Sequence, residues 1–181
     1  MNVILKSWEA KSLLLNHIGQ NPPGVVVGSA TQAPRGYYSC SVEGASGSLH
    51  IGVIANQPKV PSVVYLAKSQ LTILGYDQSV ALVDYPSATL RQTTALDGVF
   101  FEFLWDEERA QVLVINELGV VAISELGLEL WRYTTSDILE EWGKANDRLV
   151  LTLMDTSASV ELMLEDGAPV SSTATPDSPP S

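Results

Sequence analysis

The sequence predicts an all-β domain built from repeated four-stranded antiparallel meanders. Three observations predict it. Short apolar segments rich in β-branched and aromatic residues are separated by Gly, Pro, Asn, Asp and Ser. The pattern repeats with a spacing near forty residues. Within each repeat, two strands are apolar at consecutive positions rather than alternate ones. The length of 181 residues suits one domain, and 45% hydrophobic with 17% charged residues suits a well-cored globular chain.

In chain order, Leu5 to Ile18 reads either as a helix ended by Gly19 or as two short strands, because Leu, Ala, Glu and Lys favour a helix. From Val25 the strand candidates begin: VVVGSA (25–30), YYSCSVE (37–43), LHIGVIA (49–55), VVYLA (63–67), QLTIL (70–74) and VALVD (80–84). They continue with VFFEFLW (99–105), QVLVI (111–115), VVAIS (120–124), LELWRY (128–133), RLVLTL (148–153) and VELML (160–164). Between them, TSDILEEW (135–142) allows one helical turn capped by Ser136, although its place in the repeat argues for a strand. The domain spans residues 1–168. Residues 169–181 belong to a Pro-, Ser- and Thr-rich tail that buries too little apolar surface to offset its ordering entropy, and a disordered segment or linker is expected there.

Gln70–Phe103 aligns with Gln111–Trp142 at an offset of 111 − 70 = 41 residues, and Arg148–Gly167 begins a third copy 148 − 111 = 37 residues later. About four strands per forty residues is the size of a propeller blade. Strands apolar at consecutive positions, such as QVLVI and VVAIS, are expected where a sheet is covered on both faces, as stacked blades are. A sandwich of two repeated meanders is the alternative arrangement. GLELWRY (127–133) resembles the blade motif of quinoprotein-like and WD40-like propellers, in which a glycine corner precedes a tryptophan-bearing strand. The resemblance implies that Trp131 docks between neighbouring blades, with Gly127 at the corner. The first copy has TLRQTT in place of this strand, the Gly-His pair of WD40 repeats is missing, and no quinone-cofactor site is matched.

Chemistry-bearing patterns are scarce. Cys40 is the only cysteine, so no intramolecular disulfide and no cysteine-based metal site can form, which fits a reducing cytoplasm. The two histidines, His17 and His50, do not form a metal-binding spacing; a Cys40–His50–Asp84 triad lies on strand-like segments where buried cysteine and strand histidine are the ordinary outcome. GQNPPG (19–24) lacks the Lys-Ser/Thr of a P-loop. The N-terminus does not read as a signal peptide, and no stretch reaches the roughly 18 apolar residues of a membrane helix. No cofactor or metal is expected.

The formal net charge of −11 disfavours nucleic acid and anionic membrane surfaces as partners and favours a basic protein partner, although carboxylates that only maintain solubility are a simpler account. The leading expectation is a non-enzymatic cytoplasmic interaction module, one concrete form being an immunity-type binder of a basic partner. Trp105, Asp106, Glu107, Glu108, Tyr37 and Tyr38 are the candidate partner-binding residues, although Asp106 to Glu108 read most simply as a solvated hairpin tip, and Trp131 and Trp142 are expected in the core. The alternative is a small-molecule-binding or hydrolytic domain using Asp97, Glu102 and Asp137 in one cleft. A structural fragment of a larger assembly is a third reading.

Overall fold

The computed structural model describes residues 2–29, 34–44 and 46–170. They form four sheets in succession. The first holds β1 (Asn2–Trp8), β2 (Gly24–Val27), β3 (Gly36–Gly44) and β4 (Gly47–Ala55), ordered β1-β3-β4-β2. The second is the meander β5 (Ser62–Leu66), β6 (Leu71–Tyr76), β7 (Ser79–Asp84) and β8 (Thr89–Ala95). The third is β9 (Phe100–Asp106), β10 (Gln111–Asn116), β11 (Gly119–Ser124) and β12 (Glu129–Thr134). The fourth has β13 (Leu139–Ala145), β14 (Arg148–Leu153) and β15 (Ser159–Met163).

The middle strands explain the stacking. LTILGY of β6 and QVLVIN of β10 are buried at all six positions. Side chains alternate between faces of a strand, so two cores must cover each sheet. In β10, Val112 and Val114 join the core shared with the second sheet, while Leu113 and Ile115 join the core shared with the fourth. In β6 and β7, Leu74, Ala81 and Val83 face the first sheet, and Leu71, Ile73, Val80 and Leu82 face the third. Among the described residues no core cluster joins the fourth sheet to the first.

Backbone hydrogen bonds outside the ladders repeat with the same period. Tyr85 N–H donates to Gln70 O and Glu125 N–H to Ala110 O; Phe100 N–H donates to Asp77 O and Leu139 N–H to Glu117 O. The repeat is therefore structural as well as textual, but its frame differs from the aligned copies. VFFEFLW closes the first copy in sequence, yet β9 pairs with β10 and so opens the third sheet. The same shift gives the last sheet three strands, because LEEWGKA (β13) pairs with β14. TSDILEEW is thus no helical turn.

The first sheet departs from the meander: β2 runs parallel to β4, and α1 (Lys11–Gln20) lies between β1 and β2 in sequence. Residues 5–18 are neither one helix nor two strands: a strand ends at Trp8 and a helix begins at Lys11. Gly19 lies inside α1, and the C-terminal cap is Asn21, whose Nδ2 donates to His17 O at 2.7 Å. Leu14 and Ile18 of α1 pack on Ile54 and cover the outer face of this sheet, close over Gly52, where a Cβ would meet Ile18 at 3.1 Å.

Trp131 is buried in the core between the third and fourth sheets, and its Nε1–H donates to Leu164 O at 3.2 Å. Its ring lies against Gly167 (φ +71°), where a Cβ would stand 2.5 Å from Trp131 Cε3. Gly127 (φ +82°) fits the preceding junction, with its Cβ position 2.6 Å from Leu82. In the second sheet Gln92 occupies the register position of Trp131, opposite Leu82 as Trp131 is opposite Ala122. There the neighbouring Arg91 makes the bridge, donating to Leu126 O at 3.1 Å in the next sheet. Pro169 bridges Leu162, and Val170 N–H donates to Glu161 O, so pairing reaches two residues past the boundary at 168. The predicted tail from 171 onward lies outside the described residues.

Truncating Trp131 to Ala should cost about 3–5 kcal/mol, the range for a buried tryptophan, read as a lowered urea midpoint. Amides of β13–β15 should lose more exchange protection than those of the first sheet.

Candidate functional site

The first strand of each sheet, β1, β5, β9 and β13, is a sheet edge, and shared clefts link each of these edges to the next. Three clefts mark the junctions. Leu5, Lys6 and Ser7 of β1 face Tyr38 and Val60 across the first. The second, of about 360 Å³, is lined by Val64 to Lys68, Trp105 and Glu125. The third, of about 350 Å³, is lined by Lys59, Phe101, Glu102, Leu139, Glu140, Trp142 and Met154. Of the twelve large apolar side chains exposed among the described residues, six lie along this side: Val3, Ile4, Leu5, Val60, Trp105 and Met154. Leu90, Leu126, Leu128 and Leu130 lie on or beside the outermost strands, and Leu13 and Leu15 on α1.

The third cleft is the most structured. Phe101 and Trp142 stack with ring centroids 5.2 Å apart and planes 18° from parallel. Trp142 Nε1–H donates to Glu102 Oε1. Lys59 Nζ donates to Phe101 O at 2.8 Å and sits 4.9 Å from the Phe101 ring centroid. Burial lowers the Lys59 pKa from its ordinary value, with Glu102 acting in the opposite direction.

The six sequence candidates separate. Trp105 is 41% exposed and lines the second cleft. Glu107 and Glu108 stand exposed on the β9–β10 turn. Asp106, expected at a solvated tip, is 0% exposed. It accepts from Lys144 Nζ at 2.9 Å and Gln111 Nε2 at 3.1 Å, with Arg109 Nη1 at 3.4 Å. Gln111 also donates to Leu164 O, so the group ties the third sheet to the fourth and is closed to a partner. Tyr38 is buried between the first and second sheets, its hydroxyl donating to Pro58 O. Tyr37 packs on the opposite face, toward α1. The tyrosines and Trp105 therefore form no common patch. Trp142, expected in the core, is half-buried at the third cleft.

Among the described residues, the other chemistries considered from the sequence find no assembled site. Cys40 is fully buried in the core shared with the second sheet, and burial pushes its thiol up to about 12, which removes the thiolate a nucleophile needs. His50 pairs in register with Ser41, not Cys40, and so lies on the other face of the sheet, 2.9 Å from Ser41 Oγ. Asp84 pairs with Arg91. Asp97 is engaged by Arg132 and Thr134, and Asp137 by the N–H groups of Ile138, Asp155 and Thr156; neither lines the cleft that holds Glu102. Among the described residues no group of three His, Cys, Asp or Glu side chains is placed to hold a metal ion, and no helix is long and apolar enough to cross a membrane.

No protein-family model matches the chain, and no curated protein matches it. Solved structures do. Dihydro-heme d1 dehydrogenase NirN in complex with DHE superposes with a TM-score of 0.53 at 11% identity, over 76% of this chain and 32% of that one. The chain folds as an incomplete β-propeller. BamB from Moraxella catarrhalis gives 0.48 at 14% identity, over 77% of this chain and 46% of its own. The Neurospora crassa Pan2 WD40 domain gives 0.45 at 11%, over 61% and 36%. The chain spans less than half the length of each. Innermost strands of a propeller converge on its central channel, and neighbouring first strands here share clefts and stack Phe101 of β9 on Trp142 of β13, so the side formed by β1, β5, β9 and β13 is taken as the axial one.

Missed by sequence reasoning were Lys59, Phe101, Met154 and the β1 residues. FFEF carried a usable signal, three aromatics around one acid on a blade's first strand; β1 carried none.

Replacing Asp106 by Asn should weaken the junction by roughly 1–3 kcal/mol, the cost of losing charge-assisted hydrogen bonds at a buried acceptor whose partner Lys144 stays in reach of water. Burial raises the Asp106 pKa, but the hydrogen bonds of Lys144 and Gln111 and the charges of Lys144 and Arg109 outweigh it and hold the carboxyl below its usual value. Its stabilisation is therefore complete above the unfolded carboxylate value of about 3.9 and is lost as pH falls through the lower folded value. Urea denaturation from pH 6 to pH 2 should show a loss in the wild-type protein that Asp106→Asn lacks.

Proposed function

We propose that this protein is a non-enzymatic interaction module whose axial side binds an extended, basic segment of a partner protein. One observation carries the reading: of the six exposed large apolar side chains along this one side, four, Leu5, Val60, Trp105 and Met154, line clefts at three successive blade junctions. Exposed apolar groups beside clefts are the usual anchors of protein interfaces. The leucines around Leu126–Leu130 form a second apolar patch, but none of them lines the three junction clefts, which favours the axial side.

The net charge of −11 supports the basic character of the partner, because an acidic surface speeds encounter with cations and slows it with anions. The carboxylates of the hydrolytic reading hold arginine, tryptophan, threonine and backbone groups in separate places, so that reading has no shared cleft to stand on. An immunity-type role in the cytoplasm is one concrete form of the proposal.

Selection from a library of short linear peptides displayed on phage tests it. Enriched peptides should combine Lys or Arg with aliphatic or aromatic residues, and raised salt should weaken them. Trp105→Ala and Leu5→Ser should each weaken binding about tenfold or more, as loss of an interface anchor does, whereas Leu128→Ser should leave it unchanged. Binding that survives both axial substitutions, or that Leu128→Ser abolishes, overturns the proposal.

A further inference from the structure

We propose that the cleft between β9 and β13 is a receptor for a guanidinium group, the arginine side chain of the bound segment, stacked on Trp142 and paired with Glu102 and Glu140. This deepens the axial-side reading and rests on it.

The chemistry of the lining selects the occupant. The cleft holds two carboxylates, Glu102 and Glu140, against one ammonium, Lys59, which leaves one negative charge uncompensated. Glu140 makes no ion pair among the described residues, and Glu102 spends one oxygen, Oε1, on the Trp142 indole. Lys59 is turned inward, bonded to the Phe101 carbonyl and set over the Phe101 ring. Trp142 is held flat against Phe101 by stacking and by its hydrogen bond to Glu102, so the platform is fixed before any ligand arrives. Leu139 and Met154 supply an apolar surface beside it.

An aromatic face flanked by carboxylates suits a cation, and attraction to the ring quadrupole is strongest on tryptophan. A planar guanidinium stacks on an indole while its N–H groups reach carboxylates at the rim, which a compact ammonium does less well. A volume of about 350 Å³ takes one long side chain. An aliphatic guest would leave Glu102 and Glu140 without the charge they lack, and an acidic guest would meet both of them.

The test uses the full chain and blocked tripeptides Gly-X-Gly with X as Arg, Lys, Leu or Glu. The Trp142 indole N–H resonance is assigned with Trp142→Phe and followed by 1H–15N NMR. The Arg peptide should move it saturably, the Lys peptide more weakly, and the Leu and Glu peptides not at all. Glu102→Gln keeps an acceptor for the indole and so preserves the platform, yet it should weaken the Arg peptide about fivefold, as should Glu140→Gln, each by loss of one exposed charge contact. No shift with Arg, an equal shift with Leu, a preference for Glu, or full affinity in both Gln variants overturns the assignment. A cleft that takes Leu in place of Arg sinks this inference alone; the axial-side reading falls separately, by indifference to Trp105→Ala and Leu5→Ser.

Discussion

The constraint on which this protein depends is double-sided burial of the middle strands. β6, β7, β10 and β11 present apolar side chains to both faces, so each of these sheets is stable only between two neighbours. At about 25 cal/mol per Å² of apolar surface, leaving either face of such a sheet wet would cost more than a typical domain's whole margin of stability. The stack follows from this, and so does the treatment of its first sheet, where α1 covers the face that no sheet covers. On β14 the outward positions Arg148, Val150 and Thr152 are partly or fully exposed, while Leu149, Leu151 and Leu153 face the core.

Most of the polar chemistry is spent at the junctions this stacking creates. Asp106 with Lys144 and Gln111, Arg91 with Leu126, Asp97 with Arg132, and Asp77 with the N–H groups of Asn56 and Gln57 each join one sheet to the next. Trp131 and Arg91 show two solutions to one task, an indole and a guanidinium each donating to a carbonyl of the following sheet. Groups tied down in this way are poor candidates for catalysis. The axial side keeps what the junctions did not use: edge strands, aromatic faces and carboxylates with spare acceptors.

What the sequence revealed, and what it hid, follow the same physics. The middle strands were legible because burial on both faces writes itself as uninterrupted apolar runs. The blade frame was not, because VFFEFLW looks like the end of one copy and only its pairing with β10 makes it the start of the next. Asp106 looked solvated beside Glu107 and Glu108, since its partner Lys144 lies 38 residues away in another sheet. Trp142 looked like a core pin by analogy with Trp131, yet it sits on an edge strand that no further strand covers. The Phe101–Trp142 platform was hidden for the same reason, as it joins residues of two first strands.

The most direct measurement compares two adjacent substitutions in β10, Val112→Asp and Leu113→Asp. These side chains point to opposite faces, into the cores shared with the second and fourth sheets respectively. Each buried carboxylate should cost several kcal/mol, so both variants should be unfolded or strongly destabilised in urea titration and circular dichroism. A near-wild-type midpoint for either one would mean that its face is open to water, and that these sheets are not stacked blades.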